Sequence, residues 1–572
     1  MSRIVGEYVA SLANLNGEAI ATVRGDAAML AAWQQDGENI GLVWAALRQH
    51  GADEKTVAEL QRLVGRALPP WWAAYEPDEA GQSDAFLDKH GAAWAYVTGL
   101  ERWHGWQDTH WQPDETRRFR LTLGAMLDDV HREAMEQARE LWREAEAMVD
   151  PVLGADDAGK EAMQAAKAAM ARAMAWRRTD RRLNAIDNLC KDRRAAHPDT
   201  VNAGNLLNLA NGTLDLDTYT LREHARGDML THCLPYAYDP AAECPRWLQF
   251  LSEVLVKDDT RTPDPELAAL LQEYVGYALT TETRYEAMLW LSGKGANGKS
   301  TATKIVNAVV GPLALKLDFS ALGRPDASYY LARLGGARVV FSTEATTKTG
   351  EEILKQLVSG EPLSARPIRG EPITIRPVAK VFWAMNDKPD IKDTSDGFWR
   401  RLRLIPFYRQ FAEHEKDTAL SDRLLGELPG ILNWALEGLK RLRAKGRFTD
   451  AAAVREAVTE YRTEQNDVAL WLNERTTYAL PEARRPAGAQ TKAREAFHDY
   501  LQWANQINRK KTLTETGFGK ELKKLVTWEK SGSVVYHFGL LTPEAPPPAH
   551  HSDTEAAERQ PAAEAEAWVA GL

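Results

Sequence analysis

Gly293, Gly298, Lys299 and Ser300 stand at the spacing G-x-x-x-x-G-K-[ST] inside the stretch "LSGKGANGKSTAT". Residues of these types at this spacing suit one chemistry. Backbone N–H groups of a glycine-rich loop wrap a polyphosphate, the lysine meets its outer oxygens, and the hydroxyl ligates Mg²⁺. Gly293, Lys294, Gly295, Ala296, Asn297, Gly298, Lys299, Ser300 and Thr301 are therefore the expected nucleotide-binding loop. A plain glycine-rich turn is the alternative reading. Such a loop has to be held between a strand and a helix. Residues 287–291, "AMLWL", read as a buried strand, and "KSTATKIVNAVVG" carries Ile305, Val306, Val309 and Val310 at helical spacing before Gly311 ends the helix.

Three further groups follow in order. Glu344 stands behind the apolar run at residues 339–341, where a carboxylate at a strand end can hold Mg²⁺ through water and polarise an attacking water. Asn386 ends the run "AKVFWAM", and its amide can orient water against a terminal phosphate. Arg400 and Arg401, in "GFWRRLRLIPF", can reach a phosphate held by a neighbouring subunit. Taken singly, each has a bland reading: a strand-end acid, a turn asparagine, a solvated basic pair. Their succession behind a phosphate loop carries the argument. Between Glu344 and Asn386, "RPIRGEP" reads as a hairpin tip with Arg366 and Arg369 on it and Lys355 on the preceding helix. Pro367 and Pro372 stiffen its edges. In a ring of such modules these cations would line a central hole and grip nucleic-acid phosphates, whereas outside a ring the stretch is an ordinary surface hairpin.

The whole chain has 572 residues, a net charge of −10, 44% hydrophobic and 27% charged residues, the profile of several globular domains. That charge argues against a generally basic nucleic-acid coat protein but would not reveal a basic lining confined to a channel. Three cysteines, Cys190, Cys233 and Cys244, are too few and scattered for a disulfide framework or a CxxC zinc site, which suits a reducing cytoplasm. The opening residues lack a basic stretch followed by an apolar one, and no run of 18 apolar residues occurs, so no membrane association is expected. Most of the nineteen tryptophans are expected in cores or interfaces.

Periodicity divides the chain into five regions. Residues 1–90 are Ala- and Leu-rich and helical. Residues 91–280 open with a small aromatic hairpin, pass through a long helical stretch broken near "DPVLGADDAG", turn at Asn211-Gly212 between two short strands, and end in helices. Residues 281–446 hold the nucleotide module, 447–541 a separate domain, and 542–572 a Pro/Ala/Glu-rich acidic tail expected to be disordered.

In order, "GKGANGKST", "FSTEA", "LKQLVSGEPLSARPIRGE", "WAMNDKP" and "GFWRRLRLIPF" resemble the superfamily 3 helicase core of the phage and plasmid primase-helicase family, which includes satellite-phage alpha-type and poxvirus proteins. "LLNLANGTLDL", "YDPAAECPRWLQFLSEV" and "LQEYVGYALT" look like that family's collar domain, and the region after residue 447 like its winged-helix end. The resemblance spans about residues 94–538. It implies a multidomain α/β protein: a helical N-terminal region, a P-loop, AAA+-like ATPase with a central parallel sheet, and a C-terminal winged-helix domain. It also implies a homo-hexamer that hydrolyses ATP with Mg²⁺, moves 3′ to 5′ on single-stranded DNA and opens forked DNA in a bacterial cytoplasm, working with a separate primase or replication initiator. Lys299 and Ser300 take the phosphate and Mg²⁺ roles, Glu344 the Walker B role, Asn386 the sensor role, and Arg400 or Arg401 the finger. Thr343 before Glu344 leaves one carboxylate where many superfamily 3 members have two adjacent acids.

Family members often carry a primase-polymerase domain needing a carboxylate pair. Asp215 and Asp217 form the D-x-D motif near strand-like sequence, and they read as turn and strand-end acids. Together with the roughly 90 residues before the resemblance, too few for such a domain, they make primase activity doubtful. In the last domain, "TETGFGKELKKLV" reads as a recognition helix exposing Lys520, Lys523 and Lys524 to DNA, with protein docking as the alternative. Two other functions stand beside the helicase: a bifunctional primase-helicase, and an ATP-gated scaffold that holds DNA without unwinding it.

Overall fold

The computed structural model describes residues 3–12, 19–35, 40–49, 51–66, 70–150, 154–257, 261–343, 350–368, 370–393, 395–475, 490–507, 512–531 and 533–538. Glu344, Arg369 and the acidic tail lie outside the described residues. The chain forms two compact units, residues 1–105 with 113–197, and residues 106–112 with 198–572. The chain passes between the units after residues 105, 112 and 197, whereas the sequence reading places a boundary at residue 280.

The first unit is helical for the reason its sequence gives. In the helix Glu54–Arg66, Val57, Leu60 and Val64 recur at three- and four-residue steps and are fully buried with Leu30, Val43 and Leu47. Farther on, the 30-residue helix Arg118–Ala147 and the helices Asp157–Ala175 and Asp180–Arg193 share a core of Leu123, Leu127, Val130, Ala138, Ala173 and Ile186. Phe119 stacks on Trp103 of the strand Arg102–Trp106 with ring centroids 3.7 Å apart.

The second unit is organised around a five-stranded sheet. Its strands and helices run β1 (Met288–Ser292), α1 (Lys299–Val310), β2 (Ala314–Lys316), β3 (Val339–Ser342), α2 (Glu351–Ser359), β4 (Leu363–Ala365), β5 (Ile373–Ile375), β6 (Lys380–Met385) and β7 (Leu402–Pro406). The sheet order is β2-β3-β6-β1-β7 with every pairing parallel, while β4 and β5 form a separate antiparallel hairpin. Parallel sheets are covered on both faces, which is why "MLWL" and "VFWAM" are unbroken apolar runs. Along β1, Leu289 and Leu291 enter one core with the helices Pro245–Val254, Pro265–Ala278 and Leu428–Lys445. Met288 and Trp290 enter the other with Trp383, Phe398, Trp399 and Tyr461.

These cores cross the boundaries expected at residues 280 and 446. Gln272 donates from Nε2 to Trp434 O at 2.8 Å, and Arg441 reaches Glu273 Oε1 at 2.9 Å, so the helices flanking the sheet in sequence pack together. The helix Ala452–Glu464, expected in the separate C-terminal domain, instead packs Tyr461 5.3 Å from Trp399. The C-terminal region with its own core begins with the helix Asp467–Arg475. Val468, Trp471, Tyr500, Trp503, Phe518 and Leu522 form that core, and a three-stranded antiparallel sheet places Val534–Phe538 between Gln490–Lys492 and Trp528–Ser531.

Two buried cations fasten the sheet to the preceding segment. Arg338 donates to the carbonyls of Leu279, Gly204 and Leu206, and Lys380 to those of Thr280 and Val378, with Lys380 also 4.7 Å from the Tyr277 ring. The C-terminal carbonyls of the helix Pro265–Ala278 carry partial negative charge toward both. Burial, and then the charge of Arg338, holds the Lys380 amine well below the ordinary lysine range.

Candidate nucleotide and nucleic-acid sites

The glycine-rich loop joins β1 to α1. Gly293 has φ +155°, and a Cβ there would fall 2.5 Å from both Phe407 O and Asn297 Nδ2. Gly298 has φ +86°, and its Cβ would meet Val254 at 2.7 Å. The two glycines therefore serve backbone shape and close packing. The loop is pinned from outside as well. Phe407 N donates to Ser292 O at 2.8 Å and Phe411 N to Ala296 O at 2.8 Å.

Lys299 is buried although charged. Its Nζ donates to Gly293 O at 2.6 Å and Asn297 Oδ1 at 3.0 Å, and burial pushes the amine down to about 8. Ser300 follows it, exposed, on the first turn of α1. Because β1 and β6 pair with Ser292 opposite Met385, Asn386 emerges beside the loop. Two cavities of about 350 and 450 Å³ meet here. Lys299, Ser300 and Asn386 line both, Gly295–Gly298 and Thr301 the first, and Lys316 and Thr343 the second. The sequence-separated loop and asparagine are thus brought together. Such an arrangement can hold a chain of phosphates along the loop and present a side-chain amide to its far end.

Among the described residues no cluster of three or more His, Cys, Asp or Glu can hold a metal ion. Mg²⁺, if bound, would keep most of its waters and take most of its remaining ligands from phosphates. The Ser300 hydroxyl, a hard oxygen donor lining both cavities, suits that ion; Glu344 lies outside the described residues.

Neighbouring arginines have different surroundings. Arg401 is 11% exposed and bonds Glu286 Oε2 at 2.6 Å, Gly397 O at 2.5 Å and Ser359 Oγ at 3.0 Å. Arg400 is 66% exposed and lies 3.6 Å from the same Glu286 oxygen. The pair divides into one buried, tethered arginine and one largely exposed arginine with a longer contact to the same acid.

The hairpin exists as expected, with Leu363 opposite Ile375. Arg366 donates from Nε to Gly370 O at 3.1 Å, and Ile368 at the tip is 82% exposed. Tyr329, Tyr330 and Arg333 line an open hollow of about 640 Å³ with Arg366 and Ile368. Lys355, expected on the nucleic-acid surface, is paired with Asp393 at 2.9 Å and with Glu352 at 3.2 Å, where α2 packs against the segment leading to Arg400. Asp215 accepts backbone N–H bonds from Asp217 and Thr218, and Asp217 bonds Arg443, so these acids close a turn. In the C-terminal region Lys520, Lys523 and Lys524 are all exposed, with Lys523 4.2 Å over the Trp528 ring and Lys524 paired to Glu521 at 2.6 Å.

Sequence reasoning missed the other wall of the first cavity: Arg246, Phe250, Glu253, Phe411, Glu415 and Leu420. Arg246, Phe250 and Glu253 lie in the collar-like stretch "PRWLQFLSEV", but nothing local to that amphipathic helix announces that it faces the loop.

Residues 83–256 match the family described as D5 N terminal like, and residues 291–401 a family of unknown function (DUF5906). The chain is similar to "Putative helicase L207/L206" of Acanthamoeba polyphaga mimivirus, 27% identical over 281 residues, 45% of this chain and 29% of that protein. It is also similar to "Putative helicase 121R" of Invertebrate iridescent virus 3, 26% identical over 230 residues, 37% of this chain and 23% of that one. The chain therefore spans less than a third of the length of these relatives. The apo A-form structure of the NrS-1 C-terminal region aligns over 55% of this chain and 81% of that one, with 13% identity and a TM-score of 0.35, too low a similarity for any argument to rest on. Among the described residues no helix is long and apolar enough to cross a membrane.

Proposed function

We propose that this protein is an ATP-driven DNA helicase of the phage primase-helicase type, working as a hexameric ring that moves 3′ to 5′ on single-stranded DNA. The observation that carries the reading is the convergence of the glycine-rich loop, the buried Lys299 and the strand-end Asn386 on one cleft. Helicase names among the viral relatives and the D5-like match point the same way. The parallel sheet with the loop after β1 supports a P-loop, AAA+-like superfamily 3 core. Three helices with a three-stranded antiparallel sheet support a winged helix at the C-terminal end.

In this mechanism the loop N–H groups at residues 295–300 bind the phosphates and the Lys299 amine turns from Gly293 O to the outer phosphate oxygens. Asn386 orients the attacking water. Ser300, with Glu344, would hold a Mg²⁺ ion, which would supply charge neutralisation at the phosphates. Arg400 stabilises the developing charge on the nucleotide of a neighbouring subunit, a role that favours the exposed arginine over the tethered one. The hairpin with Arg366 and Arg369 draws the DNA backbone through the ring, and the winged helix contacts DNA through Lys520, Lys523 and Lys524. The test is ATP-dependent opening of a fork with a 3′ single-stranded tail. Lys299→Ala is expected to abolish both hydrolysis and unwinding, and unwinding that survives this change would exclude the mechanism.

A further inference from the structure

The aromatic hairpin formed by the strands Trp94–Val97 and Arg102–Trp106 has no task in the mechanism above, yet it walls an open hollow of about 530 Å³ that lies wholly within the first unit. Antiparallel pairing sets Tyr96 opposite Trp103. Their rings meet edge to face with centroids 5.3 Å apart, and Trp103 in turn stacks on Phe119 of the helix Arg118–Ala147. Trp103 and Phe119 are buried, whereas Tyr96, which lines the hollow with them, is only half-buried. A ring braced by two buried rings is a fixed aromatic surface.

The charges around the hollow balance formally, but they are unevenly used. Four acids line it, and three of them are engaged. Asp114 accepts from Arg118 N and Phe119 N at 2.8 and 2.9 Å, Asp180 pairs with Arg120 at 3.2 Å, and Asp187 accepts from Trp103 Nε1 at 2.8 Å and Lys191 Nζ at 2.7 Å. Arg120 is occupied as well, donating to Asn184 Oδ1 at 2.6 Å. Two arginines are left over. Arg117 stands at the head of the helix with φ +60°, where Asp114 serves the first amides in its place, and Arg102 follows the turn residue Glu101, at φ +48°. Both are exposed, and neither guanidinium has a hydrogen-bond or ion-pair partner among the described residues. Glu101, exposed and likewise without an ion-pair partner among the described residues, is the single charge that opposes them. Guanidiniums bond phosphates through two parallel N–H groups, and an unstacked base lies flat on an aromatic ring. In a duplex the bases are already paired and stacked, and an acidic protein segment would use the arginines without the ring.

We propose that this hollow is a binding site for single-stranded nucleic acid, in which Arg102 and Arg117 take phosphates and Tyr96 takes a base. The site does not rest on the nucleotide reading, and it uses none of the residues assigned to the hairpin at Arg366 or to the C-terminal region. It gives the segment matching the D5-like family a ligand of its own.

Fluorescence anisotropy of a labelled oligothymidylate titrated with the full chain over a range of salt concentrations, without nucleotide, tests this. The double variant Arg102→Gln, Arg117→Gln is expected to keep its Tm, to weaken strand binding about ten-fold at low salt, and to flatten the logarithmic salt dependence by about 1.4, the release of two counterions from a single strand. Tyr96→Ala is expected to weaken strand binding about ten-fold with the salt slope unchanged, and Tyr96→Phe to bind as the parent does. Glu101→Gln should tighten binding. Affinity for a blunt duplex is expected to be the same in all of them. Unchanged strand affinity and salt slope in the double arginine variant would overturn the site, as would equal loss of strand and duplex or a parent that binds no oligothymidylate. A loss confined to polyglutamate would also overturn it and make the hollow a docking surface for acidic protein segments.

Discussion

Lys299 Nζ donates to the carbonyl oxygen of Gly293 at 2.6 Å, so the loop's lysine is held by the loop's own first glycine. Burial, with only neutral acceptors in reach, pushes the amine down to about 8. A polyphosphate replacing the carbonyl favours the charged form, so binding near and above that pH takes up a proton. ATP affinity is expected to fall as pH rises through about 8. Calorimetry in two buffers of different ionisation heat should show uptake approaching one proton about a unit above that value. The stability linkage has the opposite slope. Between about 8 and the ordinary lysine value the unfolded chain binds more protons than the folded one, so this group's contribution to stability rises with pH there. A pH-independent affinity would refute the placement of the amine at the phosphates.

Arg401→Ala removes the 2.6 Å contact to Glu286 and a largely buried guanidinium, and is expected to destabilise the fold by about 2 kcal/mol or more, read as a lower Tm. Arg400→Ala should leave Tm and ATP affinity unchanged but lower hydrolysis about a thousand-fold or more, the range seen for arginine fingers. Mixing Arg400→Ala with Lys299→Ala subunits should restore part of the activity, since some junctions then pair an intact lysine with an intact arginine. Absence of such rescue would place Arg400 outside the neighbour's site.

Arg366→Ala is expected to spare basal ATP hydrolysis and reduce its stimulation by single strands. The salt dependence of strand binding should flatten by about one counterion per subunit. Equal loss of basal and stimulated rates would contradict a separate gripping role for the hairpin.

Lys355→Ala should lower stability by about 1 kcal/mol through loss of Asp393, a partner only partly exposed, and leave DNA affinity untouched. A weakened DNA complex with unchanged Tm would return this lysine to the nucleic-acid surface.

The strand, loop and helix of the candidate cleft were legible because they are local. A glycine pattern between an apolar run and a helix specifies a strand, a loop and a helix within 23 residues (Met288–Val310), and the run ending at Asn386 specifies a second strand. The pairing of these strands, which places Asn386 beside the loop, was implied by family order and not by any residue. What stayed hidden depends on distant chain. Lys355 and Asp393 are 38 positions apart, and an exposed-looking lysine on an amphipathic helix gives no sign of that partner. Arg246 and Phe411 are farther apart still. Domain limits were misplaced for the same reason: turns at residues 280 and 446 look like borders, yet the helices on either side complete one core across them.

The cations Arg338 and Lys380 have a practical consequence. Arg338 donates to the carbonyls of Gly204, Leu206 and Leu279, and Lys380 to those of Thr280 and Val378 beside the Tyr277 ring. A fragment trimmed to residues 281–446 would keep Val378 and lose every other one of these partners. Any fragment meant to keep the parallel sheet should therefore retain the chain from residue 198 onward together with residues 106–112, which belong to the same compact unit.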